Sequence, residues 1–483
     1  MLVTDRKNFE RSIALNLNFS QEGRLLSACT YDPRTCWEVP YHSLTLDETL
    51  GFLLTGLEFA METIPTKTLV NVMRDFKDNY LTTPRFHNWG HALQVFHSAV
   101  LMDHVTPKLS GLMDSVHSLA LFIATIAHDV AHRGKNNGFE IASQSELALL
   151  YNDISVLENH HASLCGQILK RHDFLQHVPD GKQFRKIVIN AILGTDMSKH
   201  GDLMKKMQTS QIESDQELVV TCCTHCADLG AQVLPISTAW EFYMRCTDEF
   251  QQQALDEKEL GLPVTPFMTG QENPKTRAFG QVQFIEFVVM PLWKAVSEVF
   301  PTTKMVAEIA KQGASNNGKN NQGTSSEQVL SQDMSIRKAT QPISAASAHS
   351  SQQLRNDSRA NSHNQQVQSE WLKNLNENLE VYKFVAKHGK RKFELTEEEL
   401  QQIEMEEKRV EEELKQKEKL EREKQKEKQH QRGATVIKKA SPPAAGVSSA
   451  GESSRGNAGS GTTTGAPSSS PSSSKDSKPK SSK

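Results

Sequence analysis

The stretch that decides both fold and site is Leu119-Ala-Leu-Phe-Ile-Ala-Thr-Ile-Ala-His128-Asp129-Val-Ala-His132-Arg-Gly-Lys-Asn-Asn137-Gly-Phe139. A histidine and an aspartate directly follow a long apolar run, which indicates that both side chains are buried. Burial of a carboxylate is costly unless a cation or hydrogen bonds compensate its charge. A bound metal ion is the natural compensator, so this stretch predicts a metal site.

Further histidines and carboxylates occur on either side of this stretch. His87 and His91 are four residues apart, a spacing that places both on one face of a helix. The spacing matches the zincin motif H-E-x-x-H, but Asn88 stands where the general base belongs. Asp228 offers another carboxylate, although without the other ligands a helix cap would be the favoured interpretation. Imidazole suits zinc and carboxylate suits magnesium or manganese, so the mixed set favours two unlike divalent ions sharing one carboxylate.

Composition limits the classes of protein and partner. The chain has 483 residues, a formal charge of -3 and seven cysteines. The lack of a basic excess argues against nucleic acid binding, and an odd number of cysteines without a regular framework favours reduced thiols. No apolar stretch reaches the roughly 18 to 20 residues of a transmembrane span, and no signal sequence is evident. We expect a cytosolic protein, with peripheral membrane association through the tail as the alternative.

Apolar periodicity and composition divide the chain into five parts. Apolar residues at helical spacing predict an all-α domain over residues 45–305, preceded by an entry segment over 1–44. Residues 306–369 are poor in aromatic side chains and predict a disordered linker. Glu- and Lys-rich residues 370–431 predict a charged helix, solvated and single or a weak coiled coil that mediates self-association or binds a protein partner. Residues 432–483 predict a disordered Ser/Gly/Pro/Lys-rich tail.

The histidine motif resembles a known family signature. The segment His128 to Phe139 is similar to H-D-aliphatic-x-H-x-G-x-x-N-x-apolar of the class I cyclic nucleotide phosphodiesterases. Five further segments resemble the other motifs of that family in the same order: Phe86-His-Asn-Trp-Gly-His-Ala92, Leu150-Tyr-Asn-Asp-Ile-Ser-Val-Leu-Glu-Asn-His-His161, Ile192-Leu-Gly-Thr-Asp-Met-Ser-Lys-His200, Ala227-Asp-Leu229 and Gly280-Gln-Val-Gln-Phe284. The resemblance implies a compact multi-helix domain of the HD superfamily.

The resemblance also implies a metal pair. In the family, one ion, usually Zn²⁺, is held by residues matching His91, His128, Asp129 and Asp228. A second ion, usually Mg²⁺, with Mn²⁺ as the alternative, shares Asp129. This agrees with the ligand chemistry of the mixed set. A hydroxide that bridges two cations is a strong nucleophile at neutral pH.

The remaining catalytic groups are assigned by the same resemblance. His87 protonates the departing O3' of the cyclic phosphate, and Glu158 holds the His87 imidazole in its charged form. His132 lies beside the phosphate or the bridging hydroxide. Asn137 supports these groups and belongs to the substrate-binding set.

The resemblance places the base pocket at Gln281, Phe284 and Met197. The amide of Gln281 carries a donor and an acceptor, so it suits adenine or guanine according to its orientation. Phe284 stacks on the purine, and Met197 lines the phosphate end. The chain departs from common members at Phe86, Ala131 and Arg133, none of which is an expected ligand.

Two functions of different classes are compatible with these residues. The first is hydrolysis of 3',5'-cyclic AMP or GMP, or both, to the 5'-monophosphate, which terminates cyclic nucleotide signalling. The second is a catalytically silent cyclic nucleotide-binding or scaffolding protein. The presence of the full ligand set together with His87 favours the enzyme. A hydrolase acting on non-cyclic nucleotides is disfavoured by Gln281 and Phe284.

Overall fold

The computed structural model describes residues 19–308 and 369–439, and within these ranges every regular element is helical. The predicted all-α class is therefore confirmed. The helices of the first half are α1 Phe19–Ser27, α2 Leu46–Gly56, α3 Thr66–Asn79, α4 Trp89–Val105, α5 Pro107–Leu112, α6 Ser115–Ala127, α7 Asn137–Ala142, α8 Glu146–Tyr151 and α9 Val156–Arg171. Those of the second half are α10 Gly181–Leu193, α11 His200–Met207, α12 Gln216–Asp228, α13 Ile236–Glu259, α14 Pro274–Phe284, α15 Met290–Val299, α16 Glu370–His388 and α17 Glu397–Lys439.

Helix α6 lies at the centre of the domain. It begins at an N-cap, Asp114, whose side chain accepts hydrogen bonds from the backbone N–H groups of Val116 and His117. Its residues from Leu119 to Ala127 are all buried, and it packs against α4, α10 and α12. A helix that is apolar on every side is stable only when other helices surround it. The residues that follow its last turn are therefore delivered into the interior.

The entry segment contributes to the same core. Val39 and Tyr41 are buried, and the indole ring of Trp37 lies 4.7 Å, centroid to centroid, from that of Trp371. The described part of the predicted 1–44 segment is thus an integral part of the domain. Residues 1–18 lie outside the described ranges.

The structure differs from the prediction of one charged helix over residues 370–431. Two helices, α16 and α17, lie there, and Gly389 in the left-handed region (φ 85°) ends the first. One face of α16 is buried in the domain, and its side chains there are Trp371, Leu375, Asn378, Leu379, Tyr382 and Val385. This apolar stripe has helical spacing, but the surrounding Glu and Lys residues obscured it. The compact unit ends at Glu397, well beyond the predicted boundary at 305.

Helix α17 belongs to a second unit that begins at Glu398. Its apolar side chains Met405, Val410, Leu414 and Leu420 are exposed, and pairs such as Glu411 with Lys415 join oppositely charged residues one turn apart. The predicted solvated helix agrees with these features. Self-association through it stays a prediction. The rest of the predicted linker and tail, residues 309–368 and 440–483, lies outside the described ranges.

Among the described helices, none is by itself long and apolar enough to cross a membrane. The segments Gln216–Val233 and Ile236–Glu259 reach the required length and apolarity only when taken together, and they are bent by 106° relative to each other.

Candidate active site

Three helix ends deliver the predicted metal ligands to one place. His91 lies in the first turns of α4, whose N-cap Asn88 accepts a hydrogen bond from Gly90 N. Position 90 requires glycine, because a Cβ there would collide with the His42 ring. His128 and Asp129 directly follow α6, and Asp228 is the last residue of α12.

The four side chains can each offer one ligand atom to a common point. His91 Nε2 lies 3.0 Å from Asp228 Oδ1 and 3.3 Å from His128 Nε2. His128 Nε2 lies 3.1 Å from Asp129 Oδ2 and 3.2 Å from Asp228 Oδ1. Ligands about 2.1 Å from a single ion are separated by roughly 3.0 to 3.4 Å in octahedral or tetrahedral geometry. The arrangement therefore fits one divalent cation.

Hydrogen bonds and charge prepare these groups for a cation. His128 Nδ1 donates to the carbonyl oxygen of Thr125 at 2.9 Å, which leaves Nε2 free to coordinate. Burial raises the pKa of Asp129, but attraction to His128 and neighbouring imidazoles outweighs it, so the net pKa lies well below its usual value. Asp228 behaves in the same way, and its pKa is also depressed. Two ionised carboxylates and two imidazoles form a donor set that could hold a divalent metal ion.

A second histidine cluster lies against the first. Three buried groups, Asp129, His132 and His161, bring one potential ligand atom each within 4.8 Å of one another. His161 Nδ1 donates to Val130 O at 2.8 Å, while its Nε2 lies 3.7 Å from Asp129 Oδ1 and has no hydrogen-bond partner. Burial lowers the pKa of His161 to about 4, so the ring is neutral. His161 is not among the site residues predicted from the sequence, although the motif Leu-Glu-Asn-His-His contains it.

His87 forms an ion pair with Glu249 of α13. Glu249 Oε2 also accepts from the backbone N–H groups of Phe86, at 2.8 Å, and His87, at 3.2 Å. Burial lowers the pKa of His87, but attraction to Glu249 and Asp129 outweighs it and raises the pKa to about 9. Burial raises the pKa of Glu249, but attraction to the charged His87 outweighs this effect and lowers the pKa to about 2. Both groups are therefore charged at neutral pH.

His132 lies face to face with His87. Their ring centroids are 3.9 Å apart with an interplanar angle of 23°. His132 Nδ1 accepts a hydrogen bond from Gly134 N at 2.9 Å. Burial and repulsion from the charged His87 lower the pKa of His132 well below its usual value. The stacked pair thus joins one charged and one neutral imidazole.

The expectation that Glu158 orients His87 is contradicted. Glu158 accepts from Asn137 Nδ2 at 3.0 and 3.2 Å, and Asn137 Oδ1 accepts from Leu157 N at 2.9 Å. Burial raises the pKa of Glu158 to about 7. Glu249 takes the expected role because α13 brings it under the backbone of His87. The sequence feature that could have identified Glu249 is its position on the buried face of α13, two helical turns after Phe242.

The predicted base-pocket residues occupy different environments. Gln281 of α14 is buried, and its Nε2 donates to Gln232 Oε1 at 2.7 Å. Phe284, at the end of α14, is partly buried against the main core. Met197 is 47 % exposed, next to Asp196, whose carboxylate accepts from the Ser155 hydroxyl at 2.7 Å. Gln232 follows the ligand Asp228 by one turn, so this contact links Gln281 to the metal cluster.

Comparison with known proteins gives a consistent assignment. Residues 86–310 match the family model described as 3'5'-cyclic nucleotide phosphodiesterase. The chain is 36 % identical over 248 residues to a human protein named high affinity cGMP-specific 3',5'-cyclic phosphodiesterase 9A, covering 49 % of this chain and 40 % of that protein. It is 34 % identical over 255 residues to a Drosophila melanogaster 3',5'-cyclic-AMP phosphodiesterase, isoform F, covering 49 % of this chain and 38 % of that protein. It spans less than half the length of these two relatives.

A solved structure shares the fold. The phosphodiesterase domain of the RhoPDE fusion protein from the choanoflagellate Salpingoeca rosetta aligns with a TM-score of 0.53 and 29 % identity. The alignment covers 60 % of this chain and 96 % of that domain. The family match, the shared fold and the geometry of the histidine and aspartate side chains agree. Residues 86–310 therefore carry a domain of the class I 3',5'-cyclic nucleotide phosphodiesterase family.

Proposed function

We propose that the chain hydrolyses 3',5'-cyclic nucleotides, cAMP or cGMP or both, to 5'-nucleoside monophosphates and thereby terminates their signal. The observation that carries this proposal is the convergence of His91, His128, Asp129 and Asp228 beside the charged pair of His87 and Glu249. A ligand cluster alone would support binding. A proton donor held next to it supports turnover.

The metal-binding groups fit a tight Zn²⁺ and a second Mg²⁺ or Mn²⁺. His91, His128, Asp129 and Asp228 would hold the first ion, and Asp129 would reach the second with its other carboxylate oxygen. When bound, such ions supply an activated water and neutralise charge on the phosphoryl oxygens. The unpartnered Nε2 of His161 lies 3.7 Å from Asp129 Oδ1, whereas His91 and His128 lie near Oδ2, and this supports the assignment of the second position.

His87 is suited to act as the general acid. Its pKa of about 9 keeps the imidazole protonated at neutral pH, and the Glu249 carboxylate holds Nδ1, which leaves Nε2–H for the departing O3'. Glu249 is itself held by two backbone N–H groups, so it fixes the position of the His87 ring. His132 is stacked on His87 and neutral, so it adds no second positive charge beside the general acid.

The substrate base would occupy the end of the site near Gln281. The amide of Gln281 would bind the purine edge, and Phe284 would stack on its face. Met197 and Asn137 would line the phosphate end. Gln232 lies one turn after the ligand Asp228 and accepts a hydrogen bond from Gln281, and this connection supports a purine bound beside the metal pair.

The test is turnover by the full chain supplied with Zn²⁺ and Mg²⁺. We expect cAMP or cGMP to yield the 5'-monophosphate, with no activity toward linear nucleotides, and loss of activity on chelation. Stoichiometric binding of a cyclic nucleotide to the metal-loaded chain without monophosphate release would instead establish the silent binding protein. Fractionation of cells expressing the chain checks the proposed cytosolic location.

A further inference from the structure

Helix α17 consists of two halves with opposite net charge. Residues 398–413 contain eight glutamates and only two basic residues. Residues 414–426 contain six lysines and arginines and only three glutamates. The charged side chains of residues 404–426 are all exposed. The net charge of the helix surface therefore changes from negative to positive between Glu413 and Leu414.

Interactions within a single helix do not account for this division. Ion pairs one turn apart, such as Glu411 with Lys415 and Glu418 with Arg422, require opposite charges close together in the sequence. With eight acidic and two basic residues in the first half, the charges of that half repel one another on balance. The helix dipole favours acidic residues only in the first turn, whereas the acidic half extends over about four turns.

Exposed apolar side chains lie on both sides of the charge reversal. Val410 is 53 % and Leu414 56 % exposed, and farther out Met405 is 65 % and Leu420 51 % exposed. Both pairs are centred near residue 412, close to the point where the charge reverses. If two copies of the helix lie antiparallel about that point, Val410 of each copy lies level with Leu414 of the other, and Met405 lies level with Leu420.

Charge distinguishes the two possible directions of pairing. A parallel pair places acidic half beside acidic half and basic half beside basic half, whereas an antiparallel pair places each acidic half beside a basic half. We propose that α17 is an interaction surface for a second copy of this chain and pairs with it antiparallel. Such pairing removes the central apolar side chains from water and brings opposite charges together along both arms.

Sedimentation of the full chain in the analytical ultracentrifuge measures the association. We expect a dimer at low ionic strength. Its Kd should rise at least about tenfold between 0.01 and 1 M NaCl, because the screening length falls from about 30 Å to about 3 Å over that range.

Reversal of charge in one half tests the electrostatic basis of pairing. The triple variant Lys417→Glu, Lys419→Glu and Lys424→Glu makes the second half acidic, so pairing in either direction brings like charges together. We expect this variant to sediment as a monomer.

A complementary variant shows that loss of pairing is not loss of the helix. Glu404→Lys, Glu406→Lys and Glu412→Lys together neutralise the first half, so this variant should not self-associate either. A mixture of the two triple variants should form heterodimers, because the basic half of one chain again meets the acidic half of the other.

The matched control changes the total charge by the same amount elsewhere. Lys182, Lys205 and Lys258 are exposed on the compact unit. Their joint replacement by glutamate should leave the dimer intact, because the two halves of α17 are unchanged.

A distance between labels determines the direction of pairing. The chain contains seven cysteines, so a spin label is attached through a non-natural amino acid in place of Gln402. Position 402 lies ten residues before the centre at 412, so an antiparallel pair separates the two labels by roughly 30 Å. A parallel pair would place them roughly 10 Å apart. Pulsed and continuous-wave electron paramagnetic resonance distinguish these distances.

Four outcomes overturn the inference. The first is a full chain that is still monomeric at about 0.1 mM and low salt, including one that binds a different protein through α17 instead. The second is a short distance between the two labels. The third is a control variant that dissociates as completely as the Lys417, Lys419 and Lys424 variant, and the fourth is a mixture of the two triple variants that forms no heterodimer. None of these measurements depends on turnover, so they test pairing independently of the proposed function.

Discussion

His87 and Glu249 are 162 residues apart in the chain, yet they form a partly buried ion pair at the edge of the proposed metal site. Glu249 accepts hydrogen bonds from the backbone of Phe86 and His87 as well as from the His87 ring. The carboxylate therefore sets both the position and the charge of the proposed general acid. This pair makes the catalytic proposal open to a direct test.

Glu249→Gln should move the basic limb of the pH profile. With the carboxylate gone, burial dominates and the pKa of His87 falls from about 9, so less of the imidazole is protonated at neutral pH. We expect kcat to fall by about 10²- to 10⁴-fold, the usual contribution of a general acid, and the basic limb of kcat/KM to shift to lower pH. Measurement of kcat/KM from about pH 6 to 10 checks this, because that range includes the ordinary histidine pKa of 6.5 and the raised His87 pKa of about 9.

A matched control lies on the same helix. Glu241 of α13 also pairs with a histidine, His42, at 2.9 Å, and the pair touches neither His87 nor His132. Glu241→Gln should leave the basic limb in place. A shift of equal size in both variants would contradict the assignment of the limb to His87.

The same pair makes stability depend on pH. Because the pKa of His87 is raised from 6.5 to about 9, its contribution to folding is fully present below pH 6.5 and is lost as pH rises through about 9. Because the pKa of Glu249 is lowered from 4.5 to about 2, its contribution is present above pH 4.5 and is lost as pH falls toward 2. Urea unfolding of wild type and Glu249→Gln at pH 6 and pH 10 should therefore show a smaller difference at the higher pH.

Asp228→Asn should abolish tight metal binding. The carboxylate lies within 3.2 Å of the Nε2 atoms of both His91 and His128, so its loss removes a ligand and leaves the two imidazoles without their shared anion. We expect the bound zinc per chain, measured by elemental analysis, to fall below half and turnover to fall by about 10³-fold or more.

Ligand linkage provides a second measurement of the same site. Zinc at 100 times its Kd should stabilise the wild type by about 2.7 kcal/mol and raise its melting temperature, and Asp228→Asn should lose most of this rise. Asp103→Asn serves as the control, because Asp103 is a mostly buried carboxyl whose pKa burial raises to about 6 and which faces a different cavity. Retention of zinc by Asp228→Asn would show that the four side chains do not share an ion.

Glu158→Gln should have a much smaller effect than Glu249→Gln. Glu158 binds Asn137, and its pKa of about 7 leaves it partly protonated at neutral pH, so a neutral amide replaces it closely. We expect kcat to fall by about tenfold, the lower end of the loss typical of groups that support but do not contact the reaction, and the pH profile to keep its shape. A loss as large as that of Glu249→Gln would restore Glu158 as the partner of the acid.

Truncation of the chain separates the roles of α16 and α17. A catalytic domain that ends at residue 305, as the sequence indicates, predicts that deletion of the residues after about 312 leaves hydrolysis nearly intact. The structure predicts the opposite, since that deletion removes Trp371, Leu375 and Tyr382 from the core. Each large apolar side chain that is buried contributes about 1.5 to 3 kcal/mol, so we expect a clear fall in melting temperature and more than tenfold loss of activity.

A second truncation after Glu397 provides the comparison, because the compact unit ends there. It should keep the melting temperature and activity of the full chain. Equal behaviour of the two truncated chains would show that α16 contributes nothing to the domain. Loss of activity after removal of α17 alone would show that the second unit acts on the site.

The sequence determined the chemistry of this protein. The apolar run before His128 and the spacing of the histidines predicted a buried metal site, and helical periodicity predicted an all-α domain. The all-α prediction is confirmed, and the histidine and aspartate side chains lie together in a cluster that could hold a metal ion. Both features can be read from the sequence because burial cost and helix period act over a few neighbouring residues. His91, His128, Asp129 and Asp228 could be named because each lies in a local pattern that the family resemblance makes specific.

The tertiary structure alone decided which distant groups meet. Glu249 rather than Glu158 holds His87, and Tyr382 contacts Gln232, because helix packing brings together residues that are 162 and 150 positions apart. Helix α16 reads as charged surface in the sequence, since its buried stripe is narrow and Glu and Lys surround it. Local patterns do not encode such contacts, because the partner of a side chain depends on how whole helices pack.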